Sequence, residues 1–451
     1  MERILIANRG EIACRVIRTV QQLGKQAIAV YSAADAEAPH CQLADSAVAI
    51  GAAPPAHSYL NIDAILHAAA VSGAEGIHPG YGFLAENATF ARRCQEAGLI
   101  FIGPTPAVMD IMGNKAMARQ LAQSVGVPVM PGSGTTPLDL PSAQQCAEAI
   151  GYPVLLKAAA GGGGIGMQVV TSPDGLAKAL TTAQNRAQAA FGNPAIYLEK
   201  FLSAPRHIEV QVLGDMHGTL VHLYERECSI QRRHQKVLEE APSPLLARPE
   251  HHALRSQLTQ AALAVAAAVQ YTNAGTVEFL VDEALGFYFI EMNTRLQVEH
   301  PVTECVTGID LVAEQIRSAE GHPLAWSQQD LALHGAALEC RIYAENPTQN
   351  FLPSPGQITA VRFPSGPGVR VDSGITAPAR VTPYYDPLLA KIITYGESRE
   401  QAIARMRQAL ADVVIEGIVS NIALHQDILD NAHFQTGTLG TDFLASKLYP
   451  L

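Results

Sequence analysis

Paired cysteines are missing from this sequence. Its seven cysteines, at 14, 41, 94, 146, 228, 305 and 340, are scattered, and no two form a C-x-x-C pair. An odd, dispersed set excludes a disulfide framework and the usual zinc cages, and is the pattern of reduced thiols. Charge is also scarce, at 16% of residues against about a quarter in an average soluble protein, while 48% are hydrophobic. That excludes disorder and provides for a sizeable core. Basic residues are outnumbered, 31 Lys and Arg against 42 Asp and Glu, for a net charge of −11. Such a field repels nucleic acid and anionic membrane, so neither is expected as a partner, although a local basic cleft for a small anion remains compatible with it. Long apolar runs are absent too: the longest, 261–269, falls well short of the about 20 residues that span a bilayer. The apolar stretch 4–7 is too short for a signal-peptide core. A soluble cytoplasmic protein is expected, its 451 residues folding as about two to four domains.

Two nucleotide signatures are lacking as well. Residues 4–7 read as a buried parallel strand, followed by a helix with Ile12, Val16, Val20 and Leu23 on one stripe, Gly24 as its C-cap, and a second strand at 27–31. Asp35 then stands where a dinucleotide enzyme places its ribose-binding acid. The turn Asn8-Arg9-Gly10-Glu11-Ile12-Ala13 nevertheless lacks G-x-G-x-x-G, which argues against a nicotinamide dehydrogenase. A second α/β segment follows, with strands at 154–158 and 196–201, a glycine loop at 161–166 and a helix at 176–190. Strand signals dominate 208–290, interrupted by an Ala-rich helix at 254–269. Pro and Gly at 351–356 mark a turn into a β-rich tail, closed by helices at 399–412 and 421–429, with Ser398 and Gln401 spaced as a capping box for the first.

What the chain does contain is chemistry for anions and a cation. Ala160-Gly161-Gly162-Gly163-Gly164-Ile165-Gly166-Met167 joins two strands; it is not a P-loop, because no Gly-Lys-Ser/Thr follows, but its glycines free backbone N–H groups to wrap a phosphate. Lys157 before it and Lys115 upstream supply positive charge for a triphosphate. Strands at 277–281 and 287–290 flank Glu283-Ala284-Leu285-Gly286. If Glu283 faces Gly286, Glu278 faces Glu291, with Cβ atoms about 4.5–5.5 Å apart. Like charges at that spacing ask for a hard divalent cation, and Asn293 returns to the same face as a third oxygen ligand. With no Cys or His in the set, Mg²⁺ is favoured over Zn²⁺. The period continues through Arg295, Gln297 and Glu299 until Pro301, which is expected to end the extended run. Arg295 would meet an anion, and Glu299 would accept a proton. Gln231-Arg232-Arg233-His234-Gln235-Lys236 is a basic strip, read either as small-anion binding or as a solvated loop paired with Glu239 and Glu240.

Taken together, Asn8-Arg9-Gly10-Glu11, His78-Pro79-Gly80-Tyr81-Gly82-Phe83, the four glycines, residues 231–236, the run 289–304, the turn 351–356 and Pro383-Tyr384-Tyr385-Asp386-Pro387 resemble the biotin carboxylase subunit of biotin-dependent carboxylases from end to end. The resemblance implies an α/β and α+β fold: a Rossmann-like α/β domain at 1–113, an ATP-grasp domain at 114–330 with a mobile lid at about 131–203, and a β-rich C-terminal domain at 331–451. It also implies ATP contacts from Lys115, Lys157, Gly163, Gly164, Met167, Glu199, Lys200, Phe201, Leu202, His207, Gln231 and His234, with Glu278 and Glu291. Mg²⁺ (or Mn²⁺) would lie on Glu278, Glu291 and Asn293. Bicarbonate and biotin would meet Lys236, Arg295, Gln297, Val298 and Arg341, with Glu299 as base and Arg341 stabilising the biotin enolate. The implied reaction is ATP-dependent carboxylation of carrier-borne biotin through carboxyphosphate, as in acetyl-CoA carboxylase. No Met-Lys-Met site is present, so the biotin carboxyl carrier protein and carboxyltransferase are expected on separate chains, and a homodimer is the family expectation. Ile165, where the family usually has a basic residue, and Ala160, where it has glycine, predict altered ATP affinity. Competing readings are an ATP-grasp ligase with another acceptor and a degenerate nucleotide-binding or scaffolding subunit.

Overall fold

The computed structural model describes residues 1–134, 138–158 and 167–448. The expected glycine loop, with Gly163, Gly164, Ala160 and Ile165, lies outside the described residues.

The first layer is a parallel sheet. Strands β1 (Arg3–Ile6), β2 (Gln26–Ser32), β3 (Ser46–Gly51), β4 (Gly76–His78) and β5 (Ile100–Phe101) lie in the order β3-β2-β1-β4-β5. Helix α1 (Gly10–Gln22) buries Ile12, Val16 and Val20 as its spacing predicts, and Gly24 follows in the left-handed region at φ +74. Asp35 is no ribose acid. It takes both Nε and Nη2 of Arg9, at 2.7 and 2.8 Å, and the hydroxyl of Tyr59 at 2.6 Å. The Arg9 guanidinium also lies 4.3 Å over the Tyr385 ring, so the two distant motifs at 8–11 and 383–387 are one contact.

A small unit follows, with β6 (Val154–Ala158) between β7 (Gln168–Val170) and β8 (Ile196–Lys200). Helices Leu140–Ile150 and Pro173–Phe191 cover it, and its core of Ala147, Val154, Leu156, Leu176, Leu180 and Leu198 is its own.

The body is one antiparallel sheet of eight strands. β9 (Arg206–Gly214), β10 (Leu220–Arg232), β11 (Gln235–Ala241), β12 (Asn273–Val281), β13 (Phe287–Asn293) and β14 (Ala336–Tyr343) join strands Leu388–Gly396 and Val369–Ser373 in the order β13-β12-β9-β10-β11-β14, then Leu388–Gly396 and Val369–Ser373. The sheet crosses residue 330 without a break, because β11 pairs with β14. One face of β9 and β12, with Ile208, Val210, Val212, Val277 and Phe279, packs on helix His252–Ala268. The other face carries polar residues, and there the site is built.

Candidate active site

The hairpin β12–β13 places Glu278 opposite Glu291, as the alternation predicts, but by another route. The turn is closed by Asp282 and Gly286, not Glu283 and Gly286: Asp282 N–H donates to Gly286 O at 2.8 Å, and Leu285 takes the left-handed conformation at φ 66. That shifts the register by one, and Phe279 pairs with Phe289. Ile290 is then an extra residue, a bulge that restores the Glu278–Glu291 pair. Paired in plain register with no bulge, the same sequence would put Glu291 on the core face with Phe289. The extended run also ends sooner than expected, at Asn293, so Arg295, Gln297 and Glu299 are carried by an irregular turn. Pro301 lies in the first turn of helix His300–Thr307, where a missing N–H costs nothing.

On this polar face Lys236 is the hub. Its ammonium meets Glu209, Glu278 at 2.9 Å and Glu299 at 2.7 Å. Burial alone would lower its pKa, but the three carboxylates outweigh burial and raise it well above the ordinary lysine value. Glu299 in turn takes Arg341 Nη2 at 2.8 Å. Burial opposes its ionisation, yet Lys236, Arg341 and Arg226 hold its pKa far below the carboxylate range. Glu278 also meets His207 Nε2 at 3.0 Å, Asn293 Nδ2 at 2.9 Å and Gln297 Nε2 at 2.8 Å. Lys236 and His207 overcome its burial and depress it too. Glu291 goes the other way: burial and then the Glu278 charge raise its pKa, against Lys115 at 3.6 Å.

The basic strip is thus divided. Arg233 and His234 form the tight turn between β10 and β11, both at positive φ (50 and 65), while Arg232 pairs with Glu345 at 2.5 Å. Glu239 and Glu240 do not pair with the strip; they face Arg341 and Arg399.

These groups line a cavity of about 500 Å³ with His207, His234, Glu278, Glu291, Asn293, Arg295, Gln297, Val298, Glu299 and Arg341, and the turn at Tyr81–Phe83 forms part of its wall. Gly80 shapes that turn: at φ +63, an added Cβ would meet the Asn8 amide at 2.9 Å. A second cavity of about 480 Å³ is lined by Lys115, Lys157, Glu199 and Ile290, and the Lys115–Glu291 pair lies at the border of the two. Lys157 pairs with Glu199 at 2.5 Å. Met167, Lys200, Phe201, Leu202 and Gln231 line neither cavity. The Lys200 ammonium turns to the Gly151 and Tyr152 carbonyls, and Gln231 stands behind His207, bonded to its Nδ1 at 2.9 Å.

Sequence reasoning missed the supports of this site. Arg226 is fully buried and donates to Glu209 at 2.6 Å, Gln211 at 2.8 Å, Thr276 and Thr303 at 3.0 Å, and Gln297 at 2.5 Å. Glu86 holds Arg295 Nε at 2.8 Å and the Thr294 N–H at 2.9 Å. A signal for the first group was present: in Ile208-Glu209-Val210-Gln211-Val212 the polar residues alternate with core residues, marking a buried polar face.

Known sequence families match the chain in three parts. The biotin carboxylase N-terminal domain covers residues 1–109, the carbamoyl-phosphate synthase L chain ATP-binding domain covers 114–327, and the biotin carboxylase C-terminal domain covers 339–446. The chain belongs to the biotin carboxylase family. The chain is a ligase of the biotin carboxylase type with an ATP-grasp fold. It is 50% identical to the biotin carboxylase of Nostoc sp. over 98% of both chains. It is equally 50% identical to a pyruvate carboxylase subunit of Methanothermobacter thermautotrophicus, over 98% of this chain and 89% of that one. Among solved structures it matches the biotin carboxylase domain dimer of Hydrogenobacter thermophilus 2-oxoglutarate carboxylase, in complex with MgADP, ADP and bicarbonate. The TM-score is 0.92 and the identity 46%, over 98% of this chain and 97% of that one. Among the described residues, no helix is long and apolar enough to cross a membrane.

Proposed function

We propose that this cavity carboxylates biotin borne by a separate carrier protein, using ATP and bicarbonate by way of carboxyphosphate. The observation that carries the reading is the chain Lys236–Glu299–Arg341 beside an oxygen-donor pair, Glu278 and Glu291. The donors Glu278, Glu291 and Asn293 fit a hard divalent cation, and the raised Glu291 is the group that a cation would relieve. Mg²⁺ or Mn²⁺ there would neutralise phosphate charge. Lys115, Lys157 and His207 would bind the nucleotide's phosphates, and Lys236, Arg295, Gln297 and Val298 would hold bicarbonate.

In the resting site Glu299 is too strongly paired to act as a base, since a general base works best with its pKa near the ambient pH. An incoming anion competes for Lys236 and Arg341. As those cations turn to it, Glu299 loses their stabilisation, its pKa rises, and it can take a proton. Arg341 then faces the negative oxygen that develops on biotin as N1 is deprotonated. Basicity thus depends on substrate being present, which limits idle ATP turnover.

The carrier and carboxyltransferase are proposed as separate chains, with a homodimeric biotin carboxylase in the cytoplasm. Acetyl-CoA is proposed as the final acceptor from the resemblance to acetyl-CoA carboxylase. Relatives named for pyruvate and 2-oxoglutarate supply the alternatives to compare in a reconstituted system with labelled bicarbonate. The central test is ADP release with free biotin and Mg²⁺. Bicarbonate is expected to stimulate it; ATP binding without bicarbonate-stimulated ADP release would overturn the reading in favour of a protein that binds nucleotide without turning it over.

A further inference from the structure

Two carboxyl groups that this reaction leaves unused lie behind Arg341. Glu239 on β11 and Glu339 on β14 are register partners in the sheet. Both are fully buried, and beyond the contact of Glu239 Oε1 with the Arg341 guanidinium their four carboxyl oxygens have no hydrogen-bond partner among the described residues. Side chains directly opposed in an antiparallel pair share a face, with Cβ atoms about 4.5–5.5 Å apart. Arg341, two residues beyond Glu339, lies on the same face. Its Nε is 2.6 Å from Glu239, and its Nη2 is 2.8 Å from Glu299.

The surrounding charges do not neutralise two carboxylates. The charged and titratable groups around the pair are Arg341, Tyr343 and Cys340 on β14, Lys236 on β11, Cys228 on β10, Glu209 on β9, Glu299 and Cys305 at helix His300–Thr307, Lys391 on strand Leu388–Gly396, and Tyr81. Lys236 is already held by three other carboxylates. Lys391 is committed to the Val298 carbonyl at 2.8 Å and Glu11 at 3.3 Å. Among the described residues, Arg341 is left as the one cation in contact with the pair, and Glu299 shares it. Two buried carboxyls at this separation do not both ionise near neutral pH.

We propose that Glu239 and Glu339 share a single proton and that this pair is the positioning device for Arg341. An O–H···O⁻ bond between the two carboxyls supplies the partner that their oxygens otherwise lack. The remaining negative charge anchors Arg341 Nε, leaving the rest of the guanidinium to face Glu299 and the cavity. Loss of the shared proton places a second negative charge behind Arg341 and weakens its hold on a developing anion in front. Consistently, burial, opposed by Arg341 and reinforced by Glu299, pushes Glu239 up to about 7. Burial, opposed by Lys391 and reinforced by Glu239, takes Glu339 well above the carboxylate range.

The proposal deepens the functional reading above and rests on it for the role of Arg341, so the test separates the two. Infrared spectra of the intact chain in D₂O are expected to show a protonated-carboxyl C=O band at about pH 6, well above the ordinary glutamic acid pKa, that fades as pH rises. Glu339→Gln removes the sharing partner, leaves Glu239 ionised against Arg341, and is expected to abolish the band. In biotin-dependent ADP release, kcat/KM for biotin is expected to decline on the alkaline side in the wild type. That decline is expected to be lost in Glu339→Gln and retained in Glu339→Asp. If Glu339→Gln does not fold, Glu339→Met, which also leaves the Glu239–Arg341 contact in place, serves the same comparison. No band that Glu339→Gln removes, or superimposable pH profiles for wild type and variant, overturns the proposal. If ADP release is never bicarbonate-stimulated while a band that depends on Glu339 is present, the functional reading fails and the shared proton stands.

Discussion

Arg226 shows how much of this site is held from beneath. Its guanidinium is fully enclosed and ties β9, β12 and helix His300–Thr307 together through Glu209, Gln211, Thr276, Thr303 and Gln297. Removing one partner of a buried ion pair leaves an uncompensated charge, so Arg226→Met is expected to destabilise the fold by about 3–5 kcal/mol. Urea unfolding at neutral pH measures this; a loss under about 1 kcal/mol would show that Glu209 is satisfied by Lys236 alone. No sequence pattern identified Arg226 as that support. Its partners are 15 to 77 residues away along the chain, and their convergence depends on strand order in the sheet. Glu299 was reached by extending the alternation past the hairpin, and Lys236 stood in a basic strip with two readings. Arg341 was legible only through the resemblance, because an isolated arginine carries no signal of what it will face.

The hairpin β12–β13 was legible in the sequence, with one compensated error. Two-residue alternation placed Glu278, Glu291 and Asn293 on one face, and they are there. The turn closes one residue earlier than expected, and the Ile290 bulge cancels the difference. Alternation detects which residues share a face; it does not detect an extra residue, since a bulge has no periodicity of its own. Deleting Ile290 is therefore expected to close the bulge and leave Glu291 facing Glu278, with Mn²⁺ affinity, read by electron paramagnetic resonance, retained. Glu291→Ala, which takes a ligand from that face, should lower the affinity by at least about 10–100-fold, the loss seen when even a ligand's support is removed. Unchanged Mn²⁺ binding in Glu291→Ala would remove Glu291 from the ligand set. Pro301 failed as a stop signal for a related reason: the same fixed φ that interrupts a strand favours the first turn of a helix.

At the scale of the whole molecule, buried histidines set the acid limit. Burial depresses His40, His78 and His425 to about 4, from the ordinary 6.5. Between those values the unfolded chain binds more protons than the folded one, so stability rises with pH there and is lost as pH falls from 6.5 toward 4. Each histidine contributes up to about 1.4 kcal/mol per pH unit across that window. The shared Glu239–Glu339 proton works the other way, since the folded chain holds it where the unfolded carboxyls have lost theirs, and it offsets about one histidine's part. The urea midpoint is expected to drop as pH falls from about 6.5 toward 4; a midpoint flat down to about pH 4.5 would show that these imidazoles titrate freely. The eight-stranded sheet carries a different consequence. Lys236 and Glu239 sit on one strand and Glu339 and Arg341 on the next, so the ladder between them works as a ruler, fixing their separation at one strand spacing. Hinge motion at residue 330 cannot open that gap without tearing backbone hydrogen bonds. Between these two strands the charges can therefore exchange only by side-chain movement over a stiff floor, and a break in the chain at that boundary divides a single mechanical element.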